Sequence, residues 1–231
     1  MLRSVLLRTA AVLLGFAAAP AIASPSVLVT NNGDLFTYGS AASTLHYAPT
    51  GLSTTVPVGQ FNLAATNVVT GLTSYLQAFC TDIFNMLALP TTYRVGLLSD
   101  TLQSVVKVNQ INALLSNGAD WVKNEAASAG LQLAIWEVQN EKGVSGYNLT
   151  TGDFSISNTE PFAMLTASLY LTKINSGEWK ADPNSVVRQL RADGYQSLSY
   201  LDAAANVPEP ASVALLGIGL AGLGVMRRRA A

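Results

Sequence analysis

The sequence predicts an α+β fold: a β-barrel or β-sandwich core with an inserted helical subdomain. Three observations carry this. β-rich runs cut by Gly, Pro and Asn turns fill residues 24 to about 98. Val105, Val108, Ile111 and Leu115 then recur at helical spacing, and the helical pattern continues toward Asn140. An alternating run from Tyr195 to Leu201 returns to strand near the end of the central region.

Ser26 to Thr30 reads as a first strand, stopped by the turn signal Asn31-Asn32-Gly33-Asp34, with Leu35 to Tyr38 as the returning strand. Thr44 to Tyr47 and Thr54 to Leu63 are further strands. Pro57 within the second marks an edge or a bulge. Tyr75 to Phe84 and Tyr93 to Leu98 follow, separated by Pro90. The first helix stops at Asn117-Gly118. Asp120 is placed to cap the next, and Gly130 marks a break, so that a helix start falls just before Gln132. Pro161 opens a broadly apolar helix closed by Gly177, and Asp182-Pro183 opens a shorter one through Arg191.

Both ends of the 231-residue chain read as addresses. Arg3 and Arg8 flank an apolar run, Val12 to Ala19, followed by Ala21-Ile22-Ala23, the pattern of a secretory signal peptide over residues 1–23. That pattern implies a signal peptidase as a processing partner. At the other end, residues 207–231 hold Pro208-Glu209-Pro210, an apolar run from Ala211 to Met226, and Arg227-Arg228-Arg229. The run is shorter than the ~20 residues of an ordinary spanning helix. Terminal arginines that snorkel can accommodate the shortfall, and they predict a cytoplasmic C-terminus.

Residues 24–206 remain as one domain, large enough to bury a core. Five of the 13 Lys and Arg residues lie in the two address segments, against one of the 14 Asp and Glu, so the domain is acidic, near −5. No basic stripe exists to track phosphates, which argues against nucleic acid as a partner.

The domain holds one cysteine, Cys80, in Phe79-Cys80-Thr81-Asp82. An exported chain with a single Cys has no internal disulfide partner. Cys80 is therefore buried and inert, paired between chains, or chemically committed to something else. The one histidine, His46, reads as a sheet-surface residue, with a base near Cys80 as the sharper alternative.

Two resemblances follow from these residues. The Pro-Glu-Pro, short Gly/Ala/Leu-rich span and Arg cluster of residues 207–231 resemble the PEP-CTERM sorting tail of Gram-negative bacteria. The resemblance implies export, a transient inner-membrane anchor, removal of the tail by an exosortase-type peptidase, and a final place at the cell surface or in the extracellular matrix. Separately, residues 55 to 200 resemble the bacterial thioester domain, known from Gram-positive surface adhesins and found also in PEP-CTERM proteins. Its pattern is an aromatic residue then Cys on a strand (Phe79-Cys80), a helix ending Asn-Gly (Ile111 to Gly118), and a Gln-x-Ala-Ile-Trp helix (Gln132 to Trp136).

By that resemblance Cys80 and Gln132 form an internal thioester, which an amine-bearing surface or matrix molecule opens to leave an amide through Gln132. Autocatalytic formation and single use imply a covalent binder rather than an enzyme, with no cofactor and no metal. A thiol can displace ammonia from a carboxamide only if rigid elements hold both at attack distance, donors stabilise the oxyanion, and water is excluded. Trp136, one turn after Gln132 on the same face as Ile135 and Gln139, is placed to shield the bond. Asp82, Glu137 and His46 are the candidates to take the amine's proton, and for Glu137 a solvated charge is the favoured reading. The rivals are a structural or carbohydrate-associated matrix protein with an unmodified buried Cys80, and a cysteine hydrolase using Cys80 and His46. The departures from the adhesin pattern are the Gram-negative-style tail and a single domain without a stalk of repeats, which favour matrix anchoring over host adhesion.

Overall fold

The structure is a computed structural model and describes residues 24–203. The expected signal peptide and sorting tail lie outside the described residues. Six strands close into an antiparallel barrel: β1 (Ser26–Phe36), β4 (Phe61–Asn67), β5 (Thr73–Cys80), β9 (Leu198–Ala203), β8 (Ser185–Arg191) and β6 (Thr91–Leu97), with β6 pairing back onto β1. Closure leaves the barrel no free edge. Two of the neighbouring pairs, β5–β9 and β6–β8, are far apart in sequence, because the chain leaves the barrel after β6 and returns to it only with β8.

Between the two passes the chain forms α1 (Val105–Gly118), α2 (Glu125–Asn140), a short strand β7 (Phe154–Ser157) and α3 (Pro161–Asn175). β7 joins β2 (Ala41–Tyr47) and β3 (Leu52–Val58) in a second sheet of order β3-β2-β7. The mixed α+β class with a barrel core and an inserted helical part is as the sequence predicts, and Pro57 sits on the edge strand β3.

α2 is the centre of the fold. Every residue from Ala127 to Val138 is buried. A helix that is apolar around most of its circumference cannot lie at a surface, so it is surrounded on all sides. Its three buried polar side chains each reach the backbone of a different neighbour. Ser128 Oγ accepts from the Gln60 N–H at 2.7 Å, Gln132 bonds Cys80, and Glu137 Oε1 accepts from the Asn148 N–H at 2.7 Å. A buried polar group without a partner costs about 1–3 kcal/mol, so these bonds also fix where β4, β5 and the 141–153 loop sit against the helix.

Thr54 to Leu63 is two strands rather than one, since β3 ends at Val58 in the small sheet and β4 starts at Phe61 in the barrel, and four further expected elements differ. Asn31-Asn32-Gly33-Asp34 does not turn the chain: β1 runs through it to Phe36, with a register shift against β4 between Asn31 and Phe36. Gly33, at φ +79°, takes up the irregularity, and the Asn32 Nδ2 donates to Asn62 Oδ1 across the strands at 3.0 Å. The strand expected to reach Phe84 ends at Cys80. Beyond it the Asp82 carboxylate accepts from the Phe84 and Asn85 N–H groups at 2.8 and 3.3 Å and forms a turn. Residues 185–191 are strand β8 rather than helix. Ser185, Val187 and Gln189 alternate into the core, and the strand fills the barrel between β6 and β9.

The fourth difference concerns Gly130. It does not break α2, which starts at Glu125 with Asn124 as cap; Asn124 Oδ1 accepts from the Ala127 N–H at 2.9 Å, and Asp120 takes no part. A Cβ at residue 130 would lie 2.9 Å from Thr166 Cβ and 3.0 Å from the Ala167 nitrogen. The glycine is there so that α2 and α3 can approach closely. Gln132 is consequently two turns inside the helix, and no free helix N-terminus faces it.

Candidate functional site

Cys80 ends β5, and β4 begins only at Phe61. The register pairs Phe61 with Ala78, so two residues further on Cys80 would face Gly59, which is not in the strand. On the other side Thr81 donates to the Ser197 carbonyl at 2.9 Å, so the alternation of the ladder turns the Cys80 backbone groups toward the missing β4 position. The Gln132 carboxamide fills that position. The Cys80 N–H donates to Gln132 Oε1 at 2.7 Å, and Gln132 Nε2 donates to the Cys80 carbonyl at 2.8 Å. The side chain of a central helix thus imitates a cross-strand neighbour, and both residues are 1% exposed.

The Cys80 sulfur is held by the residue that follows the next one. Sγ–H donates to the Asp82 carbonyl at 2.9 Å, and the Asp82 N–H points to Sγ at 3.3 Å. Burial pushes the thiol up to about 12, against the smaller opposing effects of the Asp82 backbone bond and of Trp136. The Trp136 indole N–H faces the sulfur but makes no hydrogen bond of normal geometry, so it is a spare buried donor beside the pair. Gln139, one turn further along the same face of α2, donates to the Thr81 carbonyl. Gln189 Nε2 donates to Thr81 Oγ1 at 3.2 Å, and Gln196 Nε2 to the Asp82 carbonyl at 3.3 Å. Side-chain amides therefore brace the strand end from several directions.

A cavity of about 370 Å³ opens onto Cys80, Gln132 and Trp136. Its walls come from the irregular end of β1, the edge strand β3 and the loop after Asp82, through Leu35, Phe36, Val56, Met86, Leu87 and Leu89. Nothing in the sequence around Cys80 or Gln132 points to these walls. Their only signal is the string of apolar residues from Met86 to Leu89 in what is otherwise a loop. Gln196, far along the chain, carries no local signal at all.

The expected site residues divide clearly. Cys80, Gln132 and Trp136 come together. Asp82 is adjacent, but it reaches the sulfur through its backbone while its carboxylate holds the turn, donated to also by Asn85 Nδ2 at 2.7 Å. His46 is on β2, its Nε2 against Ser157 Oγ at 2.7 Å and its Nδ1 against Ser53 Oγ at 3.2 Å, and it does not line the Cys80 cavity.

Glu137 is not a solvated charge: it is fully buried, and burial raises its carboxyl to about 7. It faces the 141–153 loop and not the sulfur, because five residues along a helix from Gln132 is well around the circumference. Lys107 closes that second cluster by donating to the backbone carbonyls of Gln139 and Glu141. Among the described residues no group of three or more His, Cys, Asp or Glu side chains could hold a metal ion.

With this geometry in hand, the similarities to known proteins can be placed. The chain carries a PEP-CTERM protein-sorting motif. Residues 206–229 match it, at the end expected from the Pro-Glu-Pro and Arg cluster. No curated protein matches the chain. Among solved structures, the N-terminal domain of the Streptococcus pyogenes pilus tip adhesin Cpa is similar at 12% identity and a TM-score of 0.42, over 80% of this chain and 96% of that one. The N-terminal thioester domain of a surface protein from Clostridium perfringens is similar at 8% identity and a TM-score of 0.39, over 70% and 97%. The thioester domain of the Staphylococcus aureus TIE protein is similar at 11% identity and a TM-score of 0.38, over 81% and 80%. These are likenesses of outline.

Proposed function

We propose that Cys80 and Gln132 join as an internal thioester, and that the exported protein uses this bond once to attach covalently to an amine-bearing molecule of the cell surface or matrix. The observation that carries the reading is the reciprocal pair of hydrogen bonds between the Gln132 carboxamide and the Cys80 backbone. These hold the amide carbonyl beside the one thiol of the chain. The Cys80 N–H already points at Oε1, where negative charge would gather as sulfur attacks the carbonyl carbon. This donor replaces the helix N-terminus expected from the sequence. The Trp136 N–H is a second donor within the same pocket.

Formation balances without a cofactor. The Cys80 sulfur bonds to the Gln132 side-chain carbonyl carbon, the C–N bond breaks, and the thiol proton leaves with the nitrogen as ammonia. Use of the bond reverses the roles: an amine nitrogen bonds to the same carbon, the C–S bond breaks, and the thiol returns. No turnover is involved, so the protein is a binder and not an enzyme. An amine can attack a thioester without prior deprotonation by the protein, whereas a hydroxyl requires a general base. With His46 and Glu137 bonded elsewhere and the Asp82 carboxylate committed to its turn, the site favours amines.

The address segments give this chemistry a place. A signal peptidase would release the N-terminus, and an exosortase-type peptidase would act at the sorting motif after a transient stay in the inner membrane. A thioester there suits adhesion or matrix anchoring.

The second reading is a structural or carbohydrate-associated matrix protein with an unmodified Cys80. It is favoured by the bond from Sγ–H to the Asp82 carbonyl, a satisfied arrangement for a free buried thiol. Thiol titration after unfolding separates the two. A thioester leaves no titratable thiol until methylamine opens it, after which one thiol per chain is expected. One thiol per chain in unfolded protein never exposed to an amine would reject the thioester.

A further inference from the structure

The cavity over the pair restricts which amines can use it. We infer that the reacting partner is a primary amine at the end of an uncharged, apolar arm, and that polyamines are disfavoured; this rests on the thioester reading above. Apart from the Cys80 thiol, no ionisable side chain among the described residues lines the cavity. Its polar lining groups are neutral amides, such as Asn31 and Gln196, while Leu35, Phe36, Val56, Met86, Leu87 and Leu89 make the walls.

An ammonium group entering this space loses part of its hydration, and no carboxylate in the lining offsets the loss. Desolvation without a counter-charge lowers an amine's pKa, so the free base is the form that reaches the bond. The same walls that disfavour the cation favour an alkyl arm. Each buried methylene adds about three- to fourfold to the effective affinity, from the transfer of apolar area out of water. A second ammonium a few carbons along the arm would lie inside the same walls and reverse that gain.

The absence of a carboxylate raises the question of where the amine's proton goes, and the sulfur answers it. When the nitrogen bonds to the Gln132 carbonyl carbon and the C–S bond breaks, the electron pair stays on Cys80 Sγ. Burial makes that thiolate strongly basic, so it takes the proton from the attacking nitrogen. The products are a substituted Gln132 amide and a neutral Cys80 thiol. The step needs no other acid or base, which fits walls that supply none.

The test uses full-length protein, whose mass is first checked for the expected loss of one ammonia. Its reaction with methylamine, butylamine and 1,4-diaminobutane is followed by adduct mass on Gln132 at one pH, with rates expressed per free-base amine. Butylamine is expected to outrun methylamine by at least about tenfold, from its three extra methylenes. Diaminobutane is expected to fall at least about tenfold below butylamine for each amino group. Val56→Asp, which introduces a carboxylate into the wall, should narrow or invert the difference between butylamine and diaminobutane. Equal rates for methylamine and butylamine, or diaminobutane as fast as butylamine in the unsubstituted protein, would overturn the inference while leaving the thioester intact. Protein that shows neither ammonia loss nor an adduct with any of the three amines would overturn both.

Discussion

Opening the proposed Cys80–Gln132 cross-link should lower the stability of the fold by an amount set mainly by the loop it would close. Cys80 and Gln132 are 52 residues apart. By chain entropy, a covalent link closing a loop of that length stabilises the folded state by roughly 4 kcal/mol. Some of that is offset within the site itself. Forming the thioester removes Nε2 and leaves the Cys80 carbonyl without its donor, at a cost of about 1–3 kcal/mol. The net is about 2 kcal/mol, which for a domain of this size corresponds to roughly 4–8 °C in Tm.

The assay is thermal unfolding, followed by circular dichroism, of the protein before and after methylamine. Methylamine restores an amide at Gln132 whose carbonyl can still accept from the Cys80 N–H. Cys80→Ala should match the methylamine-treated protein and should not shift further when treated. The same Tm before and after opening would refute the reasoning, because the loop entropy would then have no counterpart in stability.

Three further outcomes follow from the geometry. Gln132→Ala should cost more stability than Cys80→Ala even in the uncross-linked state, by about 2–4 kcal/mol in urea unfolding, because both Gln132 bonds go to the backbone of residue 80 and only the first change leaves those groups unpaired. The rate of ammonia loss in freshly refolded protein should rise about tenfold per pH unit across the neutral range, since burial holds the thiol up at about 12 and the thiolate is the nucleophile; a rate independent of pH would show that the thiol is not ionised by solvent before attack.

The third concerns Glu137, whose carboxyl stands at about 7 in the fold against an ordinary 4.5. The folded state therefore binds a proton more tightly than the unfolded state. Its favourable contribution is fully present below about pH 4.5 and is lost as pH rises through about 7. Glu137→Gln should flatten this fall, which is on the order of 2 kcal/mol, in unfolding measured across that window. An unchanged slope would mean that another group carries it.

Much of the architecture is legible in the sequence where one physical pattern acts alone. The stripe from Val105 to Leu115 gives α1, Pro161 gives the start of α3, and Pro57 gives an edge strand. The misreadings arise where tertiary packing overrides a local signal. Gly130 looks like a breaker because a glycine in a helix usually weakens it, yet here it is the contact point with α3. Asn31 to Asp34 looks like a hairpin turn, yet closure of the barrel carries β1 through it. Residues 185–191 follow a Pro and hold mixed polarity, and only the gap between β6 and β9 makes them strand.

The same distinction holds at the site. Cys80, Gln132 and Trp136 are singled out by the motif, and the fold brings the three side by side. Two things are not written locally. One is that the Cys80 N–H, left without a β4 partner because β4 starts too late, donates to Gln132 Oε1, where the proposed thioester chemistry would need an oxyanion donor. The other is the apolar cavity, whose walls come from three separated segments. Glu137, adjacent to Trp136 in sequence, looks like part of the site, and helical geometry turns it toward a different loop.

Intact mass of the exported, unreacted protein tests the central claim most directly. A mass one ammonia below that calculated for the processed chain is expected, with no such deficit in Cys80→Ala, and with an increase on methylamine treatment through an adduct that maps to Gln132. An unmodified mass, unchanged by methylamine, would contradict the thioester and leave Cys80 as a buried thiol bonded to the Asp82 carbonyl.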